Sequence, residues 1–146
     1  MKSLLIAVVA ASLAIPALAA EPKDLIDARQ GAFKIIKYEF ADTLAAMMRG
    51  KREFDLERMK VAVNRIQVVS GVLPEAFAVE STGDNTRAKA EIWSDPEGFQ
   101  AAAVKFGEKI GELSAAVETG DKAQIGPALQ AAGKTCKGCH DDYRSK

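Results

Sequence analysis

Cys136, Cys139 and His140 stand together in the run Cys136-Lys137-Gly138-Cys139-His140, six residues short of the C-terminus. Two thiols at this spacing can each bond one vinyl group of a single haem. The imidazole beside the second thiol can then reach the iron, which is the C-x-x-C-H pattern of covalent haem attachment. His140 is the only histidine in the chain. A second axial ligand would therefore have to be another residue type, or none. Two other chemistries use paired thiols. A thioredoxin-like redox pair follows a strand, and no strand pattern precedes this motif. A structural zinc site needs four ligands, and the chain has one histidine and no second C-x-x-C. A disulfide between the two would close a very small loop and stabilise little.

The elements that must position this motif are helices, because a 3-4 apolar spacing persists along the chain. The first predicted helix runs from Asp24 to Arg49, with Ile26, Arg29, Phe33, Ile36, Phe40, Thr43 and Met47 as its inward seam, and Gly50 ends it. The second runs from Asp55 to Leu73, with Leu56, Met59, Val63, Ile66, Ser70 and Leu73 inward; Pro74 ends or kinks it. The third opens at Ser94-Asp95-Pro96-Glu97, an N-terminal capping pattern, and turns Phe99, Ala103, Phe106, Ile110, Leu113 and Val117 inward. The fourth starts near Asp121 and carries Ile125, Leu129, Ala132, Cys136, Cys139 and Tyr143 on one seam. Pro127 implies that this last helix either begins beside it or bends there. Four helices of about 20 residues joined mostly by short loops predict an all-α, antiparallel up-down-up-down four-helix bundle. The long connection from Glu80 to Trp93 has no periodicity, and loops of this length are often functional. It is placed to fold over the edge of a cofactor.

The N-terminus reads as an export signal. Lys2 precedes an apolar stretch from Leu4 to Ile15, and Ala17-Leu18-Ala19 supplies a small-x-small cleavage site. Residues 1–19 are expected to be removed, with cleavage after Ala20 the near alternative, and 20–146 to form the bundle. No later run approaches the length of a membrane span, so the expected location is the periplasm, without membrane insertion. The 146-residue chain carries 20 basic and 20 acidic side chains. That balance gives no reason to expect a nucleic acid or an anionic membrane surface as partner.

Arg29 is anomalous on an inward seam, because a buried guanidinium needs a partner. The propionates of a haem are suitable carboxylates. If the first helix meets a haem near Arg29, Phe33 lies one turn further on the same face. The candidate sixth ligands Met47, Met48 and Met59 also suit core filling. Met47 is 14 residues beyond Phe33, about 21 Å along a helix, too far to reach the same iron. A phenyl ring is then expected over the distal face and the iron is expected to be five-coordinate.

These residues resemble the cytochromes c′, the class II c-type cytochromes. The resemblance rests on Arg29-Gln30-x-x-Phe33, on Glu91-Ile92-Trp93-Ser94-Asp95, and on Cys136-Lys137-Gly138-Cys139-His140-Asp141-Asp142-Tyr143-Arg144. It implies one covalent haem c per chain, held by Cys136 and Cys139 with His140 as axial ligand. Arg29, Gln30 and Glu91 would lie in the haem pocket, Phe33 on the distal face and Arg144 on the proximal side. Trp93 reads as structural. The resemblance further implies a periplasmic homodimer formed through the first two helices, with nitric oxide and carbon monoxide as ligands. Phe33 offers no hydrogen bond to dioxygen. Electron transfer with a periplasmic redox partner is the main alternative role. Peroxidase chemistry usually wants a polar distal residue, so the chain is not expected to be an enzyme.

Overall fold

The computed structural model describes residues 21–146. The expected signal peptide and both expected cleavage positions lie outside the described residues. The first long helix is built in three continuous parts: α1 (Pro22–Lys37), a π-helical segment (Tyr38–Leu44) and α2 (Ala45–Met48). Pro22 starts it, Asp24 complements the dipole in the first turn, and Gly50 at φ 69° ends it. The Ala45 N–H reaches back five residues to the Phe40 carbonyl. That wider turn shifts the helical frame. The buried face therefore includes Glu39, Leu44 and Ala46 besides the expected Ile36, Thr43 and Met47.

The second long helix ends earlier than its spacing suggests. α3 (Leu56–Ser70) is capped by Asp55, whose carboxylate accepts the Arg58 N–H at 2.9 Å. Pro74 does not terminate it; Pro74 sits in the first turn of a separate short helix, α4 (Leu73–Ala76). After an irregular stretch comes α5 (Glu91–Ser94), and then α6 (Pro96–Glu118). The cap of α6 is Asp95, which accepts the Gly98 N–H at 3.1 Å, while Ser94 belongs to α5. Ala103 is exposed rather than inward, and Ala102 is the half-buried residue beside it. Gly120 at φ 68° lets the chain turn into α7 (Lys122–Tyr143). α7 begins five residues before Pro127 and continues through it. The ring removes one donor near the helix start, and capping by Asp121 (2.8 Å to the Ala123 N–H) holds the first turn.

The four long helices form an all-α bundle; among the described residues the only β-type pairing is the isolated bridge Ala88↔Arg144. The apolar core occupies one end of the bundle, where Leu44, Met59, Val63, Ile66, Ile110, Leu113, Val117 and Ile125 are essentially inaccessible. The other end is different in kind. It carries Arg29, Phe33, Phe77, Trp93, Phe99, Tyr143 and the thiol–imidazole motif, joined by ring-to-ring contacts rather than aliphatic packing.

Candidate functional site

The last two turns of α7 present Cys136, Cys139 and His140 at helical positions i, i+3 and i+4, which share a face. Both cysteines are free and half-buried. The Cys136 thiol leans back on the Ala132 carbonyl at 3.6 Å. Burial raises both thiol pKa values, and for Cys139 the neighbouring Cys136 and Asp142 add to the rise. Both therefore stay protonated at neutral pH. His140 is exposed by area, yet desolvation by surrounding protein and the Arg87 charge push its imidazole below the ordinary value; Asp141 only partly opposes this. The ring is neutral at pH 7, with a lone pair available for a metal.

Facing His140 is the ring of Phe33 on α1, 38 % exposed. The two ring centroids are 6.3 Å apart with planes at 70°. Phe33 in turn meets the edge of Phe77 at 6.4 Å. One turn before Phe33 lies Arg29, 2 % exposed. Its guanidinium donates to the Ser81 hydroxyl and carbonyl, to Thr86 Oγ1 at 3.1 Å and to the Ala76 carbonyl at 3.4 Å. Four of its five N–H groups are thereby directed at the end of α4 and the segment after it, leaving Nε–H. The same group stacks over Phe77 at 5.0 Å and Trp93 at 5.8 Å. Burial without a carboxylate partner lowers the Arg29 pKa. Gln30 donates to the Asn85 carbonyl at 2.6 Å.

The remaining sequence candidates are more peripheral. Glu91 opens α5 and is exposed, and no hydrogen bond or ion pair ties its carboxylate to the other site residues. Arg144 follows α7 in extended conformation, its N–H reaching the His140 carbonyl at 3.3 Å. The side-chain cation whose charge acts on the His140 imidazole is Arg87. It is brought there by the Ser145 N–H donating to the Arg87 carbonyl at 2.9 Å and by the adjoining Ala88↔Arg144 bridge. Sequence reasoning missed Arg87, Phe77 and Ser81. All three lie in segments with no periodic pattern, so only the tertiary contacts reveal them. Trp93 is structural here: its indole N–H donates to the Phe77 carbonyl at 2.9 Å.

A cleft of about 370 Å³ opens between α6 and α7, lined by Lys105, Lys109, Lys134 and Gly138, with Cys139 at its edge. Gly138 precedes His140 by two residues, about 200° around the helix. The cleft is therefore on the opposite flank of α7 from the Phe33–His140 gap.

The cytochrome c′ family pattern matches residues 24–144, essentially the whole bundle. The chain belongs to the cytochrome c′ family. Among curated relatives, a cytochrome c′ of Rubrivivax gelatinosus is 45 % identical over 130 residues, covering 86 % of this chain and 98 % of the relative. The crystal structure of cytochrome c′ from the same organism superposes with a TM-score of 0.79 at 40 % identity, over 85 % of this chain and 97 % of that one. A nitric oxide complex of a cytochrome c′ variant from Alcaligenes xylosoxidans gives a TM-score of 0.80 at 31 % identity, covering 87 % of this chain and 98 % of that one. The fold is the four-helix bundle of these cytochromes c′.

The chemistry of the site suits the family's haem c. Two protonated thiols and a neutral imidazole converge at one end of α7. An aromatic ring stands opposite, its centroid 6.3 Å from that of the imidazole. Arg29 keeps one unassigned donor for a carboxylate. Phe33, the residue facing His140, is apolar and cannot ligate a metal.

Proposed function

We propose that this protein is a periplasmic haem c protein with one haem per chain, whose iron keeps its sixth position open for small diatomic gases, nitric oxide and carbon monoxide. The observation that carries the reading is the pairing of His140 with Phe33 across 6.3 Å, one side able to ligate iron and the other not. When bound, haem c supplies an iron that takes a gas ligand and changes oxidation state. Cys136 and Cys139 would hold it through two thioethers. His140 would supply a lone pair to the iron, with the Arg87 charge acting on its imidazole and Arg144 four residues further on. Arg29 and Gln30 would serve the propionates, and Glu91 opens the short helix that carries Trp93. Phe33 would face the other side of the haem and give bound dioxygen no hydrogen bond. Among the described residues, neither Phe33 nor its ring partner Phe77 can transfer a proton, so the site binds rather than turns over peroxide.

This reading is tested by optical and resonance Raman spectra of the haem-loaded protein in both redox states, with and without nitric oxide and carbon monoxide. High-spin, five-coordinate signatures that change on adding either gas are expected. A low-spin spectrum insensitive to both would refute it. Electron transfer uses the same iron and is the second reading. Fast reduction by a periplasmic donor that nitric oxide leaves unchanged would favour it.

The exported protein is proposed to be a homodimer joined through the first two long helices. Ile35 and Tyr38 on the first of these, Val61 and Val68 on α3, and Val72 just beyond its end expose between 43 and 68 % of their surface. Val61 and Val68 are seven residues apart, on one helical face. Glu39, next to Tyr38, is ion-paired to Arg58 and Arg65, which flank Val61, so the two exposed groups lie on neighbouring helices. Exposed apolar side chains grouped in this way suit an association surface. Val68→Glu is expected to shift sedimentation to the monomer with the haem spectrum unchanged. A Val68→Glu protein that stays dimeric places the interface elsewhere.

A further inference from the structure

The chain after α4 is a strap with two anchorages. On one side Arg29 grips Ser81 and Thr86, and Gln30 grips Asn85. On the other, the Lys89 N–H donates to the Tyr143 carbonyl at 3.1 Å and the Ser145 N–H to the Arg87 carbonyl at 2.9 Å. The strap thus ties α1 to the end of α7, the two elements that carry Phe33 and His140. Ser81 is 1 % exposed. It is polar and buried because it serves the Arg29 guanidinium rather than solvent.

Phe77 begins this strap and sits at the centre of the aromatic cluster. It meets Phe33 at 6.4 Å and 60°, Phe99 at 5.0 Å and 64°, and Trp93 at 6.4 Å. Arg29 covers its face at 5.0 Å, a cation–π contact in a desolvated setting. Its backbone carbonyl is held by the Trp93 indole. Phe77 is thus held by Trp93, Phe99 and Arg29 on the sides away from Phe33. Phe33 has fewer supports: the Phe77 edge and the His140 ring are its two aromatic neighbours, and 38 % of it is exposed.

We propose that Phe77, clamped by the Arg29–Ser81 contact, is a positioning residue that sets the Phe33 ring across the His140 face and thereby limits the rate at which a small ligand enters that gap. The inference rests on the distal role given to Phe33 above. Arg29 then serves the strap as well as any carboxylate, which explains why most of its donors are taken by Ala76, Ser81 and Thr86.

The test uses the haem-loaded protein and carbon monoxide as probe, with association followed after flash photolysis. Phe77→Leu is expected to raise the association rate about threefold to tenfold, the range spanned by loss of one aromatic edge contact. Phe77→Tyr keeps the edge and should restore the native rate. In a Phe33→Ala background, itself faster than the native protein, Phe77→Leu should add no further increase. Ser81→Ala should raise amide hydrogen exchange across residues 77–86 and speed association in the same direction, with the spin state unchanged. If Phe77→Leu and Phe33→Ala effects multiply independently, or if Phe77→Leu leaves the rate unchanged while Phe33→Ala raises it, Phe77 does not act through Phe33 and the proposal is overturned. If Phe33→Ala alone leaves the rate unchanged, the distal role of Phe33 fails first and takes the proposal with it.

Discussion

Phe33→Met is expected to convert the haem-loaded protein from a high-spin to a low-spin optical spectrum in the ferrous state. Methionine is a known second axial ligand of haem iron beside histidine. Its unbranched side chain has three rotatable bonds, enough to direct a thioether from the Phe33 position into the gap facing His140. The native methionines cannot do this. Met47 is 7 % exposed and Met59 wholly buried, both in the aliphatic core, and the Met48 methyl lies beside Gly126, at the start of α7. All three belong to the end of the bundle away from Cys136 and His140. Carbon monoxide would then compete with an internal ligand. Its apparent affinity should fall about 100-fold if the new bond is worth about 2.7 kcal/mol. Titration with carbon monoxide, followed in the visible region, measures both effects at once. A spectrum that stays high-spin would mean that α1 does not bring residue 33 to the iron.

How much of this site could be read from the chain differs residue by residue, for physical reasons. The thiol–imidazole run was legible because its function fixes a spacing, and the 3-4 period of α7 places that spacing on one face. Phe33 and Arg29 were legible because they share the α1 period. What Arg29 touches was not. The expected partner was a carboxylate of a ligand, whereas four of its donors meet Ala76, Ser81 and Thr86. Those partners sit about 50 residues away in an aperiodic stretch, where no local rule gives a position. The same holds for Phe77 and Arg87. The helix ends were misplaced where two short signals competed. Pro74 reads as a stop for α3, but α3 had already ended and Pro74 opens the next turn. Ser94 and Asp95 both read as caps, and only Asp95 has the carboxylate aimed at Gly98. Ala103 carries too little apolar surface to decide which way α6 rolls, so its inward placement by period alone did not hold. Glu39 lies three residues after Ile36 and four before Thr43, but a carboxylate is a poor candidate for burial until the tertiary fold places Arg58 and Arg65 beside it.

That carboxylate gives the second large expected effect. Glu39 is 1 % exposed within the π-helical segment and is ion-paired to Arg65 at 2.9 Å and to Arg58. Burial by itself would raise its pKa. The hydrogen bonds and charges of Arg65 and Arg58 together reverse this and leave it below the ordinary glutamate value. Glu39→Gln keeps the shape and removes the charge. It strands Arg58, whose Nη1 is already buried without an acceptor. Breaking a buried pair from one side costs about 3–5 kcal/mol. The Arg65 share is small because its side chain is 56 % exposed. A loss of about 3 kcal/mol is therefore expected, lowering Tm by roughly 10 °C in calorimetry of the haem-loaded protein. The sign of the pH dependence follows from the lowered folded-state pKa. The Glu39 contribution is complete above the unfolded value of about 4.3, and it is lost as pH falls through that value toward the lowered one. The gap in Tm between native protein and Glu39→Gln should hold constant from neutral pH to about pH 5 and close below pH 4. Pairing Glu39→Leu with Arg58→Leu removes both buried charges and should recover most of the loss. A gap that is independent of pH down to pH 3, or a double variant as unstable as Glu39→Gln, would show that Glu39 acts through shape in the π-helical turn and not through its charge.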